Sequence, residues 1–139
     1  MSLSVTDLIH PTAVIASEAE IAPDAQVGPY AIIEGPVQIG PGCVIESHAC
    51  LCGPLTMGRD NFVGHGAVLG KSPQHKGYRG EPTALRIGNE NVFREHVTVR
   101  GSSARNGVPQ IAHGFSCRLR LDSFGALGFF GLGLTRPVR

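Results

Sequence analysis

Residues 9–70 read IHPTAVIASEAEIAPDAQVGPYAIIEGPVQIGPGCVIESHACLCGPLTMGRDNFVGHGAVLG. Counted from Ile9, every sixth residue is apolar: Ile9, Ile15, Ile21, Val27, Ile33, Ile39, Ile45, Leu51, Met57, Val63 and Leu69, with no polar residue among them. The same phase returns at Ile87, Phe93 and Val99. Four residues after many of these stands a small one, as at Ala13, Ala25, Ala31, Cys43, Ala49 and Ala67. Gly often follows directly, as in Val27-Gly28, Ile39-Gly40 and Val63-Gly64.

A step of six fits no lone helix, whose apolar residues recur at three and four. Six is even, so each repeat presents its apolar residue to the same face of a strand. Gly, Pro, Asp and Asn supply the sharp bends between repeats. Three flat strands then close a triangular coil of about 18 residues, and stacked coils form parallel ladders around an apolar interior. The expected fold is an all-β, left-handed parallel β-helix of about five coils. The larger right-handed parallel β-helix is less strictly hexameric.

Residues 70–86 break the pattern, since His75 and Glu81 fall on interior phase positions. This stretch reads as a loop thrown out of the solenoid over about 71–84, with the coil rejoined near Leu85. Loops on a rigid scaffold are where function concentrates. After Gly101 the phase positions 105, 117 and 123 hold Arg, Cys and Ser, and turn signals stop recurring. The division expected is therefore a β-helix over 1–104 and an irregular tail over 105–139, as in a truncated or frameshifted gene product.

Composition narrows the function classes. Among 139 residues the net charge is +1, which suggests no nucleic-acid surface. The longest apolar run, Phe124 to Leu134, is rich in Gly and too short to span a bilayer, which needs about 20 residues. The start, MSLSVTDLIHPTA, has neither a basic region nor a continuous apolar run, so the cytoplasm is the expected compartment. Cys43, Cys50, Cys52 and Cys117 form no CxxC pair and read as buried reduced thiols.

The opening repeats, together with LGKSPQHKGYRGEPTALRIGNENVFREHVTVRGS, resemble the UDP-N-acetylglucosamine O-acyltransferase family of lipid A biosynthesis. The specific part is Pro73-Gln74, Tyr78 and Gly80-Glu81-Pro82-Thr83, joined to an R-E-x-V-T motif at Arg94, Glu95, Val97 and Thr98. The likeness covers about residues 8–101. It implies transfer of a 3-hydroxyacyl group from an acyl carrier protein thioester to the 3-hydroxyl of UDP-N-acetylglucosamine. It also implies a homotrimer with sites between subunits, and no metal or cofactor. Gln74, His75, Tyr78, Gly80 and Glu81 would then contact substrate, with His75 standing where the family usually has Asp. Val99 runs straight into Arg100-Gly101, where the family has a His before the Arg-Gly pair.

The resemblance also implies a single His as general base, in an H-x-A-H-D context. Ile111-Ala112-His113 looks like the end of that motif, but Gly114 replaces the Asp and the triplet arrives two hexapeptides early. The catalytic residue is thus not assigned, with His113 a weak candidate. Two other classes stay open: a non-catalytic β-helical assembly or binding domain, and a metal-dependent β-helical enzyme of carbonic anhydrase type. For the latter, His48 and His65 stand about one coil apart. His96 lies inside the R-E-x-V motif, where it would face a neighbouring subunit. Arg79, Arg86, Arg94 and Arg100 are candidate partners for phosphate or for acidic groups of the carrier protein.

Overall fold

The computed structural model describes residues 8–72, 80, 83–103, 110–111 and 116–117, with side chains for 8–72, 80 and 83–101. Within these, every regular element is a strand, and three sheets form the sides of a prism. Face one stacks β1 (Val14–Ile15), β4 (Ile32–Glu34), β7 (Cys50–Cys52), β10 (Val68–Lys71) and β13 (Thr98–Arg100). Face two stacks β2 (Glu20–Ile21), β5 (Val37–Ile39), β8 (Leu55–Met57), β11 (Thr83–Ile87) and β15 (Gln110–Ile111). Face three stacks β3 (Gln26–Val27), β6 (Val44–Ile45), β9 (Phe62–Val63), β12 (Val92–Phe93) and β16 (Ser116–Cys117). All these pairings are parallel. A last strand, β14 (Ser102–Ser103), runs antiparallel to the start of β11.

The register follows the hexapeptide count. Ile15 pairs Ile33, Ile33 pairs Leu51 and Leu51 pairs Leu69, a step of three hexapeptides each time. Each phase residue points inward because a strand alternates its side chains and the step is even. Ile33, Leu51, Leu69 and Val99 are buried on face one, and Val27, Ile45, Val63 and Phe93 on face three. Ile9 keeps 41% of its surface, because no described strand lies beneath the first coil. Sheet edges of this kind are the weak point of a solenoid.

Turns close by a repeated bond. The amide of Ala25 donates to the Ala22 carbonyl at 3.0 Å, and that of Ala67 to Gly64 at 3.1 Å. The side chain at this position turns inward, and Ala25, Ala31, Cys43, Ala49, Ala67 and Val97 are all buried. Asn61 and Asn91 occupy the same position and are also buried. They satisfy one another: the Asn61 Oδ1 accepts from the Asn91 amide at 2.9 Å and from its Nδ2 at 3.0 Å. The Asn61 Nδ2 donates to the Gly88 carbonyl at 2.8 Å. Buried amides without such partners would be costly.

Two coils are longer. Met57 pairs Ile87, five hexapeptides on, because the chain leaves after β10 and returns at β11. Ile87 pairs Ile111 and Phe93 pairs Cys117, each four hexapeptides on. The ladder therefore extends past residue 104 on two faces. A uniform step of three hexapeptides puts Arg105 in the interior; the described register skips one hexapeptide and seats Ile111 over Ile87 instead.

Candidate functional site

The site builds around the point where the chain leaves the prism. Leu69 still pairs Val99, but Lys71 pairs Arg100, so a bulge falls at Gly70. Bulges re-aim the strand that carries them. Gly70 has φ +88, and a Cβ there would overlap the Cys52 carbonyl oxygen, so only glycine fits. The chain departs after Ser72 and re-enters the ladder at Thr83.

One segment holds both ends of this departure. The Arg100 Nη1 donates to the Ser72 carbonyl at 2.7 Å, and the Gly101 amide donates to the Lys71 carbonyl at 2.9 Å. Ser102 then pairs Ala84 and Ser103 pairs Thr83. Residues 100–103 thus clasp the exit strand on one side and the return strand on the other. A side chain at Gly101 would press on the Ala84 carbonyl at 3.2 Å, which keeps this crossing close. The β11 edge is shared, its first part bonded to β14 and its second part to β15.

Of the substrate-contacting residues expected from sequence, Gly80 alone is described. It is exposed with φ +83 and open space where a Cβ would stand. Gln74, His75, Tyr78, Glu81 and the candidate base His113 lie outside the described residues. The R-E-x-V-T motif divides by burial. Val97 faces the interior, while Arg94, Glu95 and His96 stand exposed on the turn after β12. Arg100 engages the exit strand through Ser72, a role that sequence reasoning missed.

The histidines gather on the corner between faces three and one. The Tyr30 and His48 rings are 5.3 Å apart, His48 and His65 5.1 Å, and His65 and His96 5.4 Å. Tyr30, His48 and His96 share the left-handed turn position, with φ near +60. Gly66 takes it in the third coil, and a Cβ there would lie 2.5 Å from the His96 Nδ1. The missing side chain leaves room for the rings of His65 and His96 to meet edge to face. The Ser47 Oγ lies 2.8 Å from the His65 Nδ1. The rings stack as a column, and no cluster of three or more His, Cys, Asp or Glu side chains among the described residues has metal-binding geometry.

Residues 18–53 match the model of the bacterial transferase hexapeptide (six repeats). The acyl-[acyl-carrier-protein]--UDP-N-acetylglucosamine O-acyltransferase of Xanthomonas euvesicatoria is 50% identical over 110 residues, 78% of this chain and 41% of that protein. Over most of its length this chain is similar to the UDP-N-acetylglucosamine O-acyltransferases. The Halorhodospira halophila acyltransferase is 48% identical over 104 residues, covering 74% of this chain and 40% of its own length. The chain spans about two fifths of the length of these acyltransferases and corresponds to their N-terminal portion. Among solved acyltransferase structures, LpxA from Acinetobacter baumannii superposes with a TM-score of 0.80 at 36% identity, over 86% of this chain and 46% of that one. The Francisella novicida UDP-N-acetylglucosamine acyltransferase gives 0.78 at 28% identity, over 83% and 43%. The fold is accordingly the left-handed parallel β-helix of the acyltransferases. These likenesses favour the acyltransferase reading over the carbonic anhydrase and assembly-only alternatives.

Proposed function

We propose that this chain supplies the N-terminal coils and the substrate-binding segment of an enzyme that moves a 3-hydroxyacyl group from acyl carrier protein to the 3-hydroxyl of UDP-N-acetylglucosamine. One observation above all supports it. In a chain 50% identical to such an acyltransferase over 110 residues, Ser72 and Thr83, which flank the segment bearing Gln74, His75, Tyr78, Gly80 and Glu81, are both held by residues 100–103. Binding segments positioned by a rigid scaffold lose less freedom when ligand arrives.

The reaction needs a base for the sugar hydroxyl and a donor for the thioester oxyanion. Within this chain the candidate base is His113, which stands in sequence between β15 and β16. The proposed setting is a homotrimer in the cytoplasm. The exposed surfaces of Val14, Ile32 and Tyr30 beside the histidine corner support self-association, since contiguous exposed apolar side chains mark interaction surfaces. The acyl carrier protein thioester and UDP-N-acetylglucosamine are the proposed partners.

The test mixes the purified chain with a 3-hydroxyacyl carrier protein thioester and UDP-N-acetylglucosamine and follows release of the carrier thiol. Transfer is expected, with weaker sugar-nucleotide binding on Gln74→Ala or Tyr78→Ala; loss on His113→Ala would assign that weak candidate as the base, and retained transfer would exclude it. Calorimetric binding of the sugar nucleotide without transfer would assign the chain as a binding domain. The absence of both binding and transfer overturns the reading.

A further inference from the structure

Face one carries a thiol pair on its outer side, independent of the acyltransfer reading. Cys50 and Cys52 flank the inward Leu51 on β7, so their side chains leave the strand on the same side. Their sulfurs are 3.7 Å apart. Cys52 is buried and Cys50 half-buried. Glu34, in register with Cys52 on β4, places its Oε2 3.9 Å from the Cys52 Sγ. Lys71 on β10 brings an ammonium to the other side. The remaining described thiol, Cys43, is a contrast. It is buried in the corner of the prism, donates to the Gly58 carbonyl at 3.0 Å, and burial pushes its pKa up.

We propose that Cys50 and Cys52 form a redox-active dithiol, oxidised by small peroxides to a reversible disulfide within β7. Cys50 is the attacking thiol and Cys52 the resolving one. The Cys50 thiolate attacks one peroxide oxygen; the O–O bond breaks, hydroxide leaves, and Cys50 becomes a sulfenic acid. The Cys52 sulfur then attacks the Cys50 sulfur. The S–O bond breaks, and the departing hydroxide leaves as water with the Cys52 proton. Two thiols and one hydrogen peroxide give one disulfide and two waters, the two electrons passing from sulfur to oxygen.

The electrostatics support this division of roles. The hydrogen bond from the Cys52 thiol brings the Cys50 pKa down to about 7, helped by Lys71 and opposed by burial and Glu34. The same bond, with burial, holds the proton on Cys52. A lowered pKa and partial exposure are the marks of a reactive thiol. Geometry makes the product labile. Two strand residues span about 6.6 Å with their Cβ atoms side by side, so closing a bridge, which needs about 3.8 Å between Cβ atoms, bends the strand. Strained disulfides are readily reduced and serve as switches rather than staples. The strain falls at a sensitive place, because the Cys52 carbonyl abuts Gly70, where the strand bulges before leaving the prism.

The test exposes the whole chain to hydrogen peroxide, then to an alkylating agent, and maps the products by mass spectrometry. Cys50 and Cys52 are expected to lose alkylation together, with the loss of two hydrogens located between them by fragmentation and reversed by dithiothreitol. Cys50 should react at least about tenfold faster than Cys43. Cys52→Ser should stop at a Cys50 sulfenic acid that dimedone traps, while Cys50→Ser leaves Cys52 unoxidised. Both variants alter an outward side chain, and circular dichroism checks that they fold. The proposal is overturned if both thiols stay alkylatable at a dose that oxidises glutathione. A Cys50 bridge to Cys43, to Cys117 or to another chain overturns it equally.

Discussion

Arg100 bonds the carbonyl of Ser72, 28 positions earlier in the chain, at 2.7 Å. The next residue, Gly101, donates to Lys71. The exit strand is thereby fixed by the strand one coil later, before that strand turns to pair with the re-entry point at Thr83 and Ala84.

Removing the Arg100 guanidinium should loosen the neck while leaving the prism intact. For Arg100→Met we expect a loss of about 1 kcal/mol, a modest value because the bond is partly exposed to water. The readout is local: tryptic cleavage after Lys76 or Arg79 should rise roughly fivefold, in line with that energy. An unchanged cleavage rate would mean that the bond does not hold the neck.

The asparagine pair predicts a larger, global effect. Asn61→Ala removes four hydrogen bonds from a buried corner, those to Gly88, to the Cys43 sulfur and to the Asn91 amide and side chain. Stranded buried polar groups cost about 1–3 kcal/mol each, so a total of about 3 kcal/mol is expected. Urea unfolding should shift its midpoint with an unchanged slope.

Gly66→Ala tests the histidine column. The residue has φ +69, a conformation that costs an L-residue about 1–2 kcal/mol. The added methyl also displaces the His96 ring from the His65 edge. The imidazole proton resonances of both should move in the NMR spectrum. If neither moves, the rings do not stack in solution.

Cys50 gives a pH prediction. Its thiol ionises near 7 instead of the ordinary 9.0, so alkylation should climb with a midpoint at about pH 7. Cys52→Ala, which removes the largest cause, should return the midpoint toward 9. The sign for stability follows: between pH 7 and 9 the folded chain holds less proton at Cys50 than the unfolded chain, so this group adds stability as pH rises through that window. The raised Cys52 works against it above pH 9.

The prism was legible because an apolar residue recurs at every sixth position, with a second buried position, such as Val37, Leu55 or Ala67, two residues before it. The interruption of the ladder between Leu69 and Ile87 left the converse signal, polar His75 and Glu81 at phase positions. The clasp was not legible: Ser102 and Ser103 pair antiparallel with Ala84 and Thr83, and such a pairing leaves no period in the sequence. Nor was the skipped hexapeptide that seats Ile111 on Ile87. Asn61 and Asn91 did leave a signal, as polar residues where earlier turns carry Ala or Cys. The Cys-x-Cys spacing left another, since alternate strand residues share a side.

The long coils let a change of chain length stay local. Between Leu69 and Val99 the register absorbs five hexapeptides as readily as the three of its neighbours, with the two ends tied beside each other. On the proposed function, ligand preference and foldability are written on separate lengths of chain. A library randomised across 73–82 could be sorted for new acceptors without each member also being a trial of whether the protein folds.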